Sequence, residues 1–491
     1  MTQPAVIITE LDGALGILPP SSGLLFAIVG VSSKGTQNAP ATYARVKDIV
    51  ADFGSGPMVE AAAHYIERYG RPVVLVRTGQ TTAGTATAPV LTVSGTSVIS
   101  RDAAVVPIDD YEFRWKVIAG GTIGVAGITF QWSLDDGRTW SPVTALGTAT
   151  TWTAPADTTP AGSAAPGIKI NFAAGTLIAG DFVTFRTSAP LFNSTELGLA
   201  LDALGASILF WELVEIVGAL DGTLFDQADI KIAGLPPAGK YHAWIGGTRV
   251  PTIAESESTY KTALDAIFGA KATSYGDVCA GACKMTSSVS GRKYKRPISM
   301  VVAAREASVS QEIDTADVNL GSLSGVSIRD NLGNTDEHDE SINPGLDDSR
   351  FTTLRTWDGI QGVYINRPRM LSAGGSDFDI LPKRRVLNLA HGALRSYFLR
   401  RLSRPVRVNA VTGFILEVEA LEIESGARAI MRSVLLAKPK ASGVSFTLSR
   451  TDNLLSTKTL TGQARVVPLA YPETISLDLG FTNPALQTVA V

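Results

Sequence analysis

Cysteine is nearly absent from this 491-residue sequence, which carries only Cys279 and Cys283. Two thiols cannot form a disulfide framework, and their separation is not that of a Cys-x-x-Cys redox or zinc motif, so both read as small core residues. Histidine is almost as scarce: His64, His242, His338 and His391 fall in unrelated segments, none in a His-Glu-x-x-His pattern. Charged residues make up 18% of the chain, below the roughly 25% usual in soluble domains. A surface so poor in charge suits a protein largely covered by other subunits. Uninterrupted apolar runs of about 18 residues are missing too, as is a basic segment followed by an apolar one at the start. No membrane insertion is expected, and synthesis in a cytoplasm is. The net charge of −3 gives no ground for a nucleic-acid partner.

Catalytic and nucleotide motifs are missing as well. In "GVSSKGT", Gly30 and Gly35 have P-loop spacing, but Thr36 follows directly and leaves no lysine for a phosphate. "GSLSG" puts Leu323 where a nucleophilic serine would stand. The acidic run "DEHDE" from Asp336 to Glu340 lacks the spacing and glycine of a calcium loop and reads as an exposed acidic loop. No general acid and base pair can be assembled, so no enzyme, metal or cofactor is expected.

What is present is a sharp alternation of compositions. "LLFAIVGVSSKGT" reads as a buried strand, "TYARVKDIVADFG" and "PMVEAAAHYIERYG" as helices, and "PVVLVRTG" as a returning strand. Strand, crossover and strand imply a parallel sheet. After Gly79 the chain turns rich in Thr, Ala, Gly and Val, and segments such as "YEFRWKVIAGG" and "DFVTFRTSAP" read as strands. The α/β pattern resumes at "STELGLALDALGA". The expected fold is an α/β (α+β) multidomain core with an inserted all-β domain and extended N- and C-terminal β arms. The expected divisions are an arm over 1–22, core over 23–79, the inserted β-rich domain over 80–190, core again over 191–360, a C-terminal domain with a basic helix over 361–470, and an arm over 471–491.

Two features ask for a partner. In "YPETISLDLGFTNPAL", Ile475, Leu477, Leu479 and Phe481 alternate with small or polar residues, as in a half-buried strand, and "PAVIITELDG" near the start, with Val6 and Ile8, repeats the pattern. A solitary terminal strand is unstable in water. The other feature is "PKRRVLNLAHGALRSYFLRRLSRPVRVN": between Asp379 and Glu417 there is no acid, while Lys383, Arg384, Arg385, Arg395, Arg400, Arg401, Arg404 and Arg407 are basic. That segment reads as facing an acidic partner. Nucleic acid is its rival, as for "GRKYKR" ending at Arg296, but neither run has the aromatic interleaving of a single-strand groove.

The block from "FAIVGVSSKGTQNAPATYARVKDIVADFG" through "PVVLVRTG" resembles the sheath proteins of contractile bacteriophage tails and related injection machines, and so does the block from "GVYINRPRML" to "VVPLAYPETISLDLGFTNPAL". The resemblance implies a non-catalytic protein that polymerises as a helical sleeve around an inner tail tube and contracts to drive that tube through a cell envelope. It further implies arms that add strands to neighbouring subunits, through Val6, Ile8, Ile475, Leu477, Leu479 and Phe481. Lys383, Arg384, Arg385 and Arg395 are expected to meet the tube. Baseplate and tail terminator proteins are implied partners, and the virion tail, assembled in a host cytoplasm, the implied location. Two other readings are an α/β enzyme with a β-rich substrate-binding domain and a surface adhesin, the latter prompted by Trp115, Trp132, Trp140 and Trp152.

Overall fold

A computed structural model describes residues 25–156, 161–252, 255–329 and 337–481. The chain forms two compact units that divide between Leu402 and Ser403. The division expected between residues 360 and 361 is displaced, and the basic helix Leu381–Leu399 belongs to the first unit.

The first unit is built on a six-stranded sheet whose order is Gly276–Cys279, Ala243–Thr248, Trp211–Leu220, Leu25–Gly30, Val73–Arg77 and Ala41–Tyr43. Every pair is parallel except the last. Both faces are covered, which is why its strands are continuous apolar runs in the sequence. Along Leu25–Gly30 the side chains of Phe26 and Ile28 enter one core and those of Ala27 and Val29 the other. Helices Val46–Phe53, Pro57–Tyr69 and Ser299–Ser308 supply the first core; Ser194–Ala206, Gly222–Ala233 and Glu257–Phe268 supply the second. Pro57 opens its helix at a position where its missing N–H costs nothing, and Gly70 closes it at φ 63°.

Between Val73–Arg77 and Ser194–Ala206 the described residues make strands and no helix. The largest sheet joins Thr144–Ala145, Thr129–Ser133, Glu112–Ala119, Phe182–Ser188 and Thr85–Ala86. A smaller one joins Thr151–Thr153, Lys169–Phe172 and Ile99–Arg101. Their shared core is aromatic, with the Trp115 ring 5.0 Å from both Phe130 and Phe172. Trp115 and Trp132 are buried there, Trp152 packs against the same core, and Trp140 is exposed. This core also contains Tyr294, which comes from the strand Lys293–Pro297 more than a hundred residues later in the chain.

The second unit packs helix Glu417–Met431 against an antiparallel hairpin, Gly443–Leu448 with Gly462–Val467. Its inward stripe is Ala420, Ile423, Ala427, Met431 and Leu435, joined by Phe446 and Leu448. The Glu424 and Arg428 side chains, spaced for a helical ion pair, lie 3.9 Å apart. Closer to Glu424 are Arg450 Nη1 at 2.7 Å and the Leu448 N–H at 2.8 Å. Residues 471–481 form no strand within this chain, and Ile475, Leu477, Leu479 and Phe481 are exposed. Val6 and Ile8 lie outside the described residues.

Candidate functional site

Helix Leu381–Leu399 starts with Pro382 in its first turn and carries the densest run of cations in the chain. Its two halves differ. In the first half Arg385 is 2% exposed. Its Nε donates to Glu212 Oε1 at 2.7 Å, and its Nη1 donates to the Glu306 carbonyl at 2.8 Å and to Glu306 Oε2 at 3.3 Å. Nη2 completes the set on the Val309 carbonyl at 3.1 Å. Burial pushes the Glu306 carboxyl up to about 7, against the pull of Arg385 and a hydrogen bond from the Thr315 hydroxyl. Arg384 is also buried, its guanidinium 3.9 Å from the Tyr275 ring centroid and 5.3 Å from that of Phe378.

Arg384 and Arg385 are therefore not surface cations, contrary to the sequence expectation. Arg385 locks the helix to strand Trp211–Leu220 and helix Ser299–Ser308, and Arg384 is spent on aromatic faces. A buried guanidinium needs such partners, because desolvating it unpaired costs several kcal/mol (roughly). Lys383 is partly exposed and pairs with Asp379 at 2.7 Å. Arg395 is exposed, with Nη2 3.4 Å from the Ala238 carbonyl. In the helix's second half Gly392, Arg395, Ser396 and Leu399 face solvent, followed by Arg400.

Sequence reasoning missed Glu212 and Glu306. A signal existed for Glu212, since it and Glu215 interrupt the otherwise apolar strand "WELVEIVGAL". Glu215 is wholly buried, neither carboxylate oxygen has a hydrogen-bond partner among the described residues, and burial pushes its carboxyl well above the usual carboxylate range. The other basic run is largely engaged within the chain as well, with Lys293 left exposed. Arg296 pairs with Asp109, Lys295 pairs with Glu337 at 3.0 Å, and Arg292 lies 5.3 Å over the Trp132 ring.

A second surface has apolar character. The hairpin Gly443–Leu448 with Gly462–Val467 is a two-stranded sheet, and among the described residues neither outer edge is paired. Beyond it the exposure of Ile475, Leu477, Leu479 and Phe481 is 73%, 84%, 100% and 111%. Side chains of this size are seldom left so bare in runs unless they serve a contact. Among the described residues no helix is long and apolar enough to cross a membrane.

No curated protein matches the sequence. Solved structures do match the fold along nearly its whole length. One is the helical sheath of the anti-feeding prophage in its contracted state, with TM-score 0.52 and 11% identity over 98% of this chain and 99% of that one. Another is the sheath complex of the extracellular contractile injection system PVC, also contracted, with TM-score 0.51 and 12% identity over 98% of both chains. The chain thus has the tail sheath fold, and since the N-terminal domain of DUF2586 matches residues 3–369, it belongs to the DUF2586 family.

Proposed function

We propose that this chain is the structural subunit of a contractile sheath, polymerising as a helical sleeve around a tail tube and shortening to drive the tube through a target envelope. The observation that carries the reading is the fold match with two sheath subunits over 98% of this chain. The bare apolar residues from Ile475 to Phe481 and the open-edged hairpin of the second unit add to it. Strand addition to a sheet edge draws affinity from main-chain hydrogen bonds and specificity from alternate side chains. In this reading Ile475, Leu477, Leu479 and Phe481 enter a neighbour's sheet, with Val6 and Ile8 of another arm beside them. The cations left at the surface of the basic helix, Lys383 and Arg395, joined by Arg400, meet an acidic face of the tube. Baseplate and terminator proteins bound the polymer, and the location is the tail of a virion or injection device. Contraction draws on two packings of the same subunits that differ in free energy, and no catalytic centre is required.

Electron microscopy of the purified full chain tests the proposal. Long tubular polymers are expected, with their diameter set by the tube when tube protein is present. A monodisperse monomer at all concentrations would overturn it.

A further inference from the structure

A cavity of about 260 Å³ lies where the end of helix Pro57–Tyr69 meets helix Ser299–Ser308. Its chemistry is not used by the sheath reading. Arg68, Arg305, Tyr69, His64, Ser322 and Ser324 line it. Neither guanidinium pairs with a carboxylate among the described residues. Arg68 Nη1 donates to Ser324 Oγ at 3.2 Å, and Arg305 Nη2 donates to the carbonyls of Leu320, at 2.8 Å, and of Gly321. The Arg305 guanidinium also interacts with the Tyr69 hydroxyl, while its buried Nε has no hydrogen-bond partner among the described residues. The same holds for Nδ1 of His64, a side chain only 2% exposed. Two unsatisfied nitrogens behind the lining of one cavity are unusual, because buried polar atoms are nearly always satisfied.

The electrostatics favour an anion. Glu67 is the carboxylate of the lining, and it is exposed at the rim. The two helices end nearby, and their last carbonyls add partial negative charge that the arginines offset. Two guanidiniums against one carboxylate leave the lining cationic. His64 adds no repulsion between itself and a neighbouring cation, since burial, and then the charge of Arg68, lower its pKa to about 4 and keep it neutral at pH 7. The cavity is smaller than the roughly 300–1,000 Å³ of ordinary ligand pockets, which suits a single small group.

We propose that this cavity binds one oxyanion, a phosphate or a carboxylate group, through the guanidiniums of Arg68 and Arg305, with the hydroxyls of Ser322 and Ser324 completing the donor set. Charge-assisted hydrogen bonds of this kind are the strong ones, and planar guanidinium matches both anions.

Equilibrium binding of inorganic phosphate to the full chain, read by calorimetry, tests the site, with acetate as competitor. Saturable binding of one phosphate per chain is expected. Arg305→Gln should weaken it by about tenfold or more, since a lost charged hydrogen bond exceeds the energy of one decade. Because Arg305 also holds two loop carbonyls, Arg68→Gln, at an exposed residue with one side-chain hydrogen bond, is the second variant and should weaken binding by a similar factor. Arg71→Gln, outside the cavity, should leave it unchanged. Displacement of phosphate by acetate would identify an acidic side chain as the native occupant, and resistance to acetate a phosphate group; both support the site. Absence of saturable binding, or equal loss in Arg71→Gln and Arg68→Gln, would overturn it. Neither result depends on whether the chain polymerises.

Discussion

Arg296 grips Asp109 in a bidentate ion pair, Nη1 to Oδ1 at 2.5 Å and Nη2 to Oδ2 at 2.8 Å, with both side chains almost wholly out of solvent. Asp109 belongs to the β-rich stretch between Gly79 and Ser194, whereas Arg296 ends a strand of the hairpin Ala282–Thr286 with Lys293–Pro297. One residue pair back, Tyr294 lies in the aromatic core of the β-rich stretch with its ring 5.6 Å from Tyr111. The compositional break in the sequence suggests a region that could be cut out cleanly. The contacts say otherwise.

Removing one partner of a buried pair costs about 3–5 kcal/mol, because the other charge is left desolvated and unpaired. Asp109→Ala should therefore lower the stability of the chain by that amount in urea unfolding. In an Arg296→Met background the same substitution should cost far less, since no charge is stranded. Replacing residues 82–188 by a short Gly/Ser linker should be destabilising in the same way, and adding Arg296→Met to the shortened chain should recover part of the loss. Equal costs of Asp109→Ala in both backgrounds would show that the pair contributes nothing beyond packing.

His338 gives a pH dependence of definite sign. Its Nδ1 lies 3.0 Å from Glu257 Oε2 and its Nε2 2.8 Å from Glu340 Oε2. Burial opposes the imidazolium, but the two carboxylates outweigh it and hold the pKa up at about 9 against 6.5 unperturbed. A group whose folded pKa is raised stabilises fully below its unfolded pKa, and that contribution is lost as pH climbs through the folded value. Stability should thus decline between about pH 6.5 and 9, by up to roughly 3 kcal/mol at 1.36 kcal/mol per unit. His338→Gln should flatten the curve in that window and also soften the acid limb, because Glu340, whose carboxyl His338 helps to hold low against burial, loses that partner. Denaturant midpoints at pH 6, 8 and 10 for the two chains make the comparison, and parallel curves would contradict the assignment.

The basic helix separates into a buried and an exposed half. Arg385→Ala should cost about 3–5 kcal/mol, as it strands Glu212 and Glu306 in the interior. Changing Arg395 and Arg400 together to Glu should shift stability by less than about 1 kcal/mol, as surface charges usually do. The same pair of changes should weaken coassembly with tube protein, most visibly at low salt, where exposed charges are least screened. Sedimentation of mixed sheath and tube preparations separates these outcomes. Undiminished coassembly of the double variant would remove the helix from the tube contact.

Legibility in the sequence followed how local each cause was. The buried strands, with Phe26 and Ile28 on one face and Ala27 and Val29 on the other, are written in an unbroken apolar run. The helix Pro57–Tyr69 announces itself by its proline and its terminal glycine. The fate of Arg385 was not legible, because its carboxylates arrive from 173 and 79 residues away. Charge on a helix looks the same in sequence whether it meets solvent, an aromatic ring or a buried acid. The fate of Arg296 was hidden for the same reason, its charge being neutralised by Asp109 from a region that reads as separate.

The terminal segment tests the assembly directly. Alternation from Ile475 to Phe481 states that one face should be covered, and among the described residues nothing covers it. Fully burying such side chains is worth roughly 1.5–3 kcal/mol each, so the four together are a substantial contact that this chain does not make with itself. Deleting residues 472–491 should consequently leave the urea midpoint of the dispersed subunit unchanged and abolish tubular polymers. Leu477→Asp with Leu479→Asp should do the same, by placing charge where an apolar face is required. Thr474 and Ser476, on the alternate positions, should tolerate Asp or Lys with polymerisation intact. The midpoint is the discriminating measurement: a truncated chain that unfolds more easily would place the segment in its own subunit's core, and one that still polymerises would show that the lattice does without strand exchange.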